Sequence, residues 1–428
     1  MKRKLVLGIA ALMVGSLGLA QNFNWEQARG SQIRVLLNQH PWTTAITPFL
    51  PEFERLSGVK VVVETFPEAQ FRNKVLVELA SGTGALDAFM LTPNQEGNLY
   101  LRSGWLEPLS SYVGNPALTA PGFDQADFFP ASIRAASIGG SLVGLPIQQE
   151  TTMLFYRKDL FQKYNIPVPR TFAELEAAAK ALHNKDGVAG IGLRGRGAAA
   201  TSQLAPYLFG HGGDWLSANR RSRFFDAEWV NALTFYSGLL RNYGPAGSTT
   251  MSWPEITSLF AQGKLAMFTD GSLFKSILDD PRTSTVADKV GYAAFPAGPT
   301  GRRTPVAITW ALSMSKASKN KVATWLFMQW ATNKQNQLRV LLADVPASRR
   351  SAWNSAEYKA RDKTPEWSAI NLEQLEYANP VWNPPVVAVG EVRDILGRAI
   401  VTAINGGNVR DALTRAATQT NTVLDRER

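Results

Sequence analysis

The chain has 428 residues, 45 Lys and Arg against 35 Asp and Glu, 45 % hydrophobic residues and no cysteine. Such a length suggests two or three domains, and such an apolar fraction is globular, with material for sizeable cores. The lack of cysteine excludes disulfides, thiolate zinc sites, cysteine nucleophiles and a lipid anchor on an N-terminal cysteine.

At the N-terminus, Lys2-Arg3-Lys4 is followed by an uncharged apolar run over residues 5–19. Gly18 and Ala20 are the small residues of a cleavage site before Gln21. The run is shorter than the ~20 residues of a spanning helix. Residues 1–20 therefore read as a secretory signal peptide rather than an uncleaved anchor. No later segment is long and apolar enough to span a bilayer. Removal of residues 1–20 leaves 42 basic and 35 acidic residues, about +7. Those basic residues are scattered, with pairs such as Arg302-Arg303 rather than tracts. That pattern, together with export, favours a solvated basic surface over a nucleic-acid partner.

Residues 21–30 form a polar leader. Residues 33–37 read as a strand that ends in Asn38-Gln39-His40-Pro41-Trp42. A helix through Phe49, Phe53 and Leu56 closes at Gly58, and 59–64 is strand-like. Residues 71–79 are helical, closed by Ser81-Gly82, and 87–91 return to strand. This β-α-β-α-β alternation predicts a parallel sheet with right-handed crossovers. A helix and turn follow over 97–109, then short separate strands at 142–147 and 154–156. Thr171 and Glu174 fit a capping box that starts a helix to 182. Residues 189–193 read as a Gly-rich strand, 227–240 and 253–261 as helices, and 265–268 as a buried strand ending at Thr269-Asp270-Gly271. A strand at 290–295 leads through a Gly/Pro-rich loop to a strand at 306–314 that holds Trp310. Residues 319–331 form a helix with Val322, Trp325, Leu326 and Trp330 on its apolar face. The tail over 390–423 is helical with a break at Gly406-Gly407. There is no internal repeat.

Several of these stretches carry a family likeness. They are Pro48-Phe49-Leu50-Pro51-Glu52-Phe53-Glu54-Arg55-Leu56-Ser57-Gly58-Val59-Lys60-Val61, then Ser81-Gly82-Thr83-Gly84 leading to Asp87. Gly144-Leu145-Pro146 with Glu150 follows, then Tyr156-Arg157-Lys158-Asp159-Leu160-Phe161 with Pro167 and Thr171-Phe172-Ala173-Glu174-Leu175. Phe260-Ala261-Gln262-Gly263-Lys264-Leu265-Ala266-Met267 with Asp270-Gly271, and Pro296-Ala297-Gly298-Pro299 before Trp310, complete the set. In this order and spacing, spread over nearly the whole mature chain, they resemble the extracellular solute-binding proteins of bacterial ABC importers, carbohydrate family. Two positions depart. Arg157 replaces the family's usual Asn and reads as surface variation. Ile308-Thr309 replaces a Gly pair before Trp310 and bears on the shape of the pocket.

The resemblance implies an α/β, two-lobe periplasmic-binding-protein fold with a ligand cleft between lobes joined by hinge crossings. Laid on this chain, lobe one covers 31–147 plus 307–345, and lobe two covers 148–306 plus 346–428. Such a chain closes on its ligand by hinge motion, and the cleft lies at the carboxyl ends of parallel strands.

A sugar or polyol offers hydroxyls in several directions and apolar C–H surface, so its site needs planar polar side chains and aromatic rings. Candidates sit where strands give way to loops. Gln39, His40 and Trp42 follow the first strand, Asn94 follows the third, and Arg194 and Arg196 follow Leu193. Trp253 opens a helix, Asp270 ends a buried strand, and Arg349 and Trp382 lie in the returning segment. The resemblance implies a ligand-contacting acid at Glu150 and places Trp310 just past the second crossing. With 12 tryptophans most must be structural; Trp310 is the one favoured to face a ligand. Arg349 and Arg350 leave open which points inward. Asp87 reads as a cap on loop amides. Gly195-Arg196-Gly197-Ala198-Ala199-Ala200 matches a dinucleotide fingerprint, but in an exported chain a Gly-rich loop lining the cleft is the better reading.

His40, His183 and His211 lie far apart without paired spacing, so no metal centre is expected, and no cofactor. No nucleophile elbow, zincin motif or P-loop is present. A monomeric, non-catalytic carrier is therefore expected: it takes a carbohydrate or polyol and delivers it to a membrane permease from the periplasm. Two alternatives stand behind it. The same fold could bind a peptide, compatible solute or anion, since Arg forks suit carboxylates. A secreted glycoside hydrolase or lyase would need a carboxylate pair, for which Glu150 and Asp270 are the candidates.

Overall fold

The computed structural model describes residues 23–427. The segment read as a signal peptide lies outside the described residues. β1 (Gln32–Asn38), β2 (Lys60–Phe66) and β3 (Ala88–Leu91) are all buried or half-buried strands. Both β2 and β3 run parallel to β1, as the alternation predicts. The intervening helices are Leu50–Ser57 and Glu68–Ser81. Gly58 ends the first of them at φ +68°, a left-handed turn that only glycine adopts without strain.

A small hairpin, β4 (Ser137–Ile138) and β5 (Ser141–Leu142), precedes β6 (Leu145–Arg157). β7 (Met267–Gly271), β8 (Val290–Ala294) and β9 (Ala307–Met314) follow. The strand order is β2-β1-β3-β9-β6-β7, with β8 also on β6. The antiparallel half follows from β9 returning along β3 and β6, so the sheet is mixed.

β6 decides the architecture. Its first half, Leu145 to Thr151, pairs with β9; its second half, Thr152 to Arg157, pairs with β7 and β8. Of the two short strands expected at 142–147 and 154–156, the first splits between β5 and β6, and its β6 part and the second belong to one strand of 13 residues. The polar run Gln148-Gln149-Glu150-Thr151-Thr152 hides this, because polar residues in sequence read as a loop. Here all five are buried, and the ladder satisfies the backbone of this crossing segment. The 189–193 segment is no strand. It makes only isolated bridges, Ala189 to Leu265 and Gly192 to Phe268.

One core gathers residues from β1, β2, β3 and the helix Lys321–Ala331, including Phe53, Phe89 and Trp325. A second gathers Phe172, Tyr207, Trp215, Trp229 and the C-terminal helices Val389–Ile404 and Val409–Arg426. The break between those helices is at Gly406-Gly407, as read from the sequence. A third cluster, around Phe155, Phe268 and Trp367, packs beside the second. β6 and β9 run through both bodies, and the helix Lys334–Leu342 gives Val340 to the first core and Leu341 to the third.

Thr171 accepts a hydrogen bond from the Glu174 amide, and Glu174 reaches back to the Arg170 amide, one residue before the expected partner. Arg157 is not surface variation. It is only 8 % exposed and holds Asp159 in a two-pronged ion pair, with Gly263 O as a third acceptor. Asp87 accepts the Arg34 amide and the Ser318 hydroxyl, as its reading as an amide cap suggests.

Candidate functional site

A cleft of about 790 Å³ lies between the two bodies. Its floor is the face of the β6–β9 ladder. Glu150 and Thr152 line it from β6, and Ile308 and Trp310 from β9. These are alternate residues, which point to one face of a pleated strand. Glu150 stands opposite Ile308, and Gln148 opposite Trp310. Ile308 therefore shapes the cleft, while Thr309 points away and donates to Gln149 Oε1 at 2.5 Å.

Of the sequence candidates, Gln39, His40, Glu150, Arg194, Trp253, Asp270, Trp310 and Trp382 line this cleft, as does Arg196. Three do not. Trp42 is fully buried in the first core, where the apolar stripe of its helix turns it inward. Arg349 is likewise 0 % exposed. It donates to Thr332 O and Asp124 O and lies against the Phe128 ring, tying the returning chain to the first body. Arg350 is the exposed one. Asn94 lies off the cleft and accepts the Asn383 amide at 3.0 Å; its neighbour Gln95 lines the cleft instead.

The sequence reading missed Glu68, Arg72, Ser202, Gln203, Phe274 and Arg393. Glu68 opens the helix after β2, so a strand-end search carried to that strand would have found it. Arg393 sits mid-helix and leaves no sequence signal.

The walls meet across the cleft. Trp253 Nε1 donates to Glu68 Oε2 at 2.8 Å, and the Trp253 ring stacks on Phe274 with centroids 5.3 Å apart. Arg72 holds Glu68 at 2.6 Å, pairs with Glu96, and donates to Thr92 Oγ1 at 2.9 Å. The same guanidinium lies 4.9 Å from the Trp310 ring centroid, a cation–π contact. On the other side of that network, the His40 ring lies 5.2 Å from Trp310. Arg194 forks onto Asp270 with bonds of 2.8 and 2.5 Å. Gln203 Oε1 accepts the Arg194 amide and the Tyr236 hydroxyl.

Burial sets the protonation of this site. It pushes the Glu150 carboxyl up to about 8, with Asp270 adding repulsion; the Leu273 amide, Arg194 and Gln148 oppose this without reversing it. Glu150 is thus a neutral acid near pH 7, held by Gln148 Nε2 at 3.0 Å and the Leu273 amide at 3.1 Å. A Cβ on Gly271 would come within 2.3 Å of Glu150 Oε2, so glycine there leaves room for the carboxyl. Burial also lowers His40 to about 3, leaving a neutral ring whose Nδ1 accepts the Trp42 amide. For Glu68, burial pulls upward, but Arg72, Arg194 and the Trp253 hydrogen bond outweigh it and hold it at about 2. Arg72 and Arg194 in the walls are therefore charged and paired with carboxylates, while the floor is neutral and partly aromatic. Among the described residues, no group of three or more His, Asp or Glu converges as a metal site would require. A second hollow of about 860 Å³, around Arg302, Arg303, Glu373 and Tyr377, takes no residue from the first body.

The family model for bacterial extracellular solute-binding proteins matches residues 40–338, well over half of the chain. The chain belongs to this family. It is 29 % identical over 371 residues to a mannitol-binding protein of Pseudomonas aeruginosa, covering 82 % of this chain and 83 % of the relative. It is 28 % identical over 358 residues to an erythritol/L-threitol-binding protein of Mycolicibacterium smegmatis, covering 78 % and 73 %. Among solved structures, an ABC transporter solute-binding protein of Agrobacterium vitis with bound D-mannitol superposes with a TM-score of 0.84. It is 25 % identical and covers 92 % of this chain and 99 % of that one. The fold of this solute-binding protein is the two-lobe periplasmic-binding-protein fold, and β6 passes from the β9 ladder of one body to the β7 and β8 ladders of the other.

Proposed function

We propose that this solute-binding protein is the capture component of an ABC importer for a polyol or a small carbohydrate. The observation that carries this reading is the cleft itself. Trp253, Trp310 and Trp382 offer ring surface to C–H groups, and Glu150, Gln203, Arg194 and Asp270 offer oriented donors and acceptors for hydroxyls. The polyols named for two relatives and one solved neighbour support the same chemistry.

Lobe one is assigned to 31–147 plus 307–345 and lobe two to 148–306 plus 346–428; the division of the cores supports this. Glu68, Arg72 and His40 come from lobe one, and Arg194, Trp253 and Asp270 from lobe two. A molecule that touches both walls is bound more tightly by the closed form and shifts the equilibrium toward it. A membrane permease then reads the closed state. The carrier works as a monomer in the periplasm after loss of residues 1–20, and releases its cargo unchanged. Glu150 and Asp270 do not act as a hydrolytic pair on this reading, since Asp270 is committed to Arg194.

The test is a thermal-shift and calorimetric screen of the mature protein against D-mannitol, ribitol, erythritol, maltose, D-gluconate and peptides. A binder of the folded form stabilises by RT ln(1 + [L]/Kd), about 2.7 kcal/mol at a hundredfold excess. Stabilisation by a polyol or sugar that is recovered intact is expected. Stabilisation only by acids or peptides refutes the substrate class, and turnover of a sugar refutes the carrier role.

A further inference from the structure

The four arginines that line the cleft do not have equal standing. Arg72 pairs with Glu68 and Glu96, Arg194 with Asp270, and Arg196 with Glu255. Arg393 has no carboxylate partner, although only 8 % of it is exposed. Its Nη2 donates to two neutral oxygens, Ala198 O at 2.9 Å and Ser202 Oγ at 3.1 Å. Its Nε is buried without a partner, and its Nη1 makes no hydrogen bond among the described residues. A buried guanidinium with unused donors is costly until another oxygen meets it.

We propose that Arg393 is the specificity-determining donor of the cleft, its free Nη1 binding one hydroxyl oxygen of a polyol. This rests on the polyol reading above. The acceptor follows the polyol reading and is a neutral hydroxyl; burial and the neighbouring charges of Arg72 and Arg194 act against the Arg393 cation, while Glu96 and Glu68 favour it. The same side chain is wired to closure. Ser202 Oγ donates to Asn383 Oδ1 at 3.3 Å, and the Asn383 amide donates to Asn94 Oδ1 at 3.0 Å on the first body. The Asn94–Asn383–Ser202 chain therefore sets Arg393 when the two bodies meet.

The experiment measures D-mannitol affinity by calorimetry for the wild type, Arg393→Met and Arg393→Lys, and repeats it with 1-, 2- and 3-deoxy-D-mannitol. D-mannitol is two-fold symmetric and can bind turned end for end, so each of these analogues is paired with its 1,6-, 2,5- or 3,4-dideoxy counterpart, which removes the hydroxyl in both orientations and is the one read for the contact. Arg393→Met should lose about 10- to 100-fold in D-mannitol affinity, the scale of a hydrogen bond to a charged group. Arg393→Lys, which keeps a charged donor and tests the outcome if the Met variant folds poorly, should recover part of it. For one dideoxy-mannitol the loss on Arg393→Met should shrink to under about threefold, because the contact is already gone. A purely structural role would give the same loss with all three dideoxy analogues and overturns the proposal, as does D-mannitol binding by Arg393→Met within about threefold of wild type. Tighter wild-type binding of D-gluconate than of D-mannitol would make the acceptor a carboxylate and overturns the hydroxyl assignment. A wild type that binds no polyol overturns the reading of the whole site, which the wild-type titration alone reveals.

Discussion

Glu150 is the clearest place to test the electrostatics of the cleft. Its carboxyl is buried between Gln148, the Leu273 amide and Asp270, and burial raises it to about 8. In the unfolded chain a glutamate titrates near 4.3. Between these values the folded state keeps a proton that the unfolded state has lost. Stability from this group is therefore fully present below about pH 4.5 and is lost as pH rises toward 8. The slope of one retained proton is about 1.4 kcal/mol per pH unit, so the wild type should lose about 2–3 kcal/mol from this source between pH 5.5 and 7.5. His40 acts in the opposite sense. Its lowered value of about 3 gives stability that is present above pH 6.5 and lost as pH falls. The test is thus a difference. Denaturant unfolding of wild type and Glu150→Gln is measured at several pH values and constant ionic strength, without added sugar. The amide keeps the shape and an acceptor for the Leu273 amide but cannot ionise. The stability of wild type relative to Glu150→Gln should fall with pH across that window. A flat difference would mean that Glu150 is ionised in the folded protein, and the neutral-floor description would be wrong.

Further outcomes follow from the other contacts. Asp270→Asn leaves Arg194 buried without its counter-charge and should cost about 3 kcal/mol of stability, read from the denaturation midpoint; a loss below about 1 kcal/mol would show that solvent reaches the pair. Trp253→Phe keeps the stack on Phe274 but removes the hydrogen bond to Glu68, a bond to a charged acceptor worth about 1.5–3 kcal/mol. Small-angle scattering of the sugar-free protein should then show a larger radius of gyration than wild type, and an unchanged radius would rule out this bond as a brace between lobes. Trp42→Ala should destabilise by about 3–5 kcal/mol through a core cavity, yet leave the polyol affinity of the folded protein unchanged. An equal loss of affinity would place Trp42 in the site after all.

Much of the fold was legible because its signals are local. The pattern of apolar strands and capped helices over 33–91 follows from period and turn residues alone, and Ser252 and Glu255 close the expected helix start at Trp253 as a capping box. β6 was not legible. Its centre, Gln148 to Thr152, is polar because it faces a cleft and a second strand, and only β9 and, at Thr152, β7, both more than 100 residues later in the chain, give those residues their partners. The site divides in the same way. Residues at strand ends, such as Gln39 and Asp270, could be found by a rule about strands, and Arg194 was found by the same rule although the segment before it forms only isolated bridges. Trp42 and Arg349 obeyed that rule or lay in the right segment, but tertiary packing turned them into cores. Arg393 and Ser202 reach the cleft from helix faces, where nothing in the sequence separates a lining residue from a packed one.

The placement of the floor on the crossing strands has a consequence for how a cargo would be sensed. Glu150 on β6 and Trp310 on β9 lie within a few residues of the two crossings assigned above, so their geometry is expected to change less than that of the walls when the lobes part. Contacts to them bind the open and closed forms alike and shift nothing between them. The wall residues differ. On the lobe assignment proposed above, Glu68 and Arg72 would move with one lobe and Trp253, Arg194 and Arg393 with the other, so a molecule would meet both sets only on closure. Moving a population from 1:99 to 99:1 needs about 5.5 kcal/mol of differential binding, which is the scale of two to four hydrogen bonds to charged groups. The walls hold charged groups enough for that, Arg72 with Glu68 and Arg194 with Asp270 already ordered by their pairing. On this hinge the floor governs first capture and the walls govern commitment, so floor variants should alter affinity with the scattering change on binding intact, and wall variants should diminish that change itself.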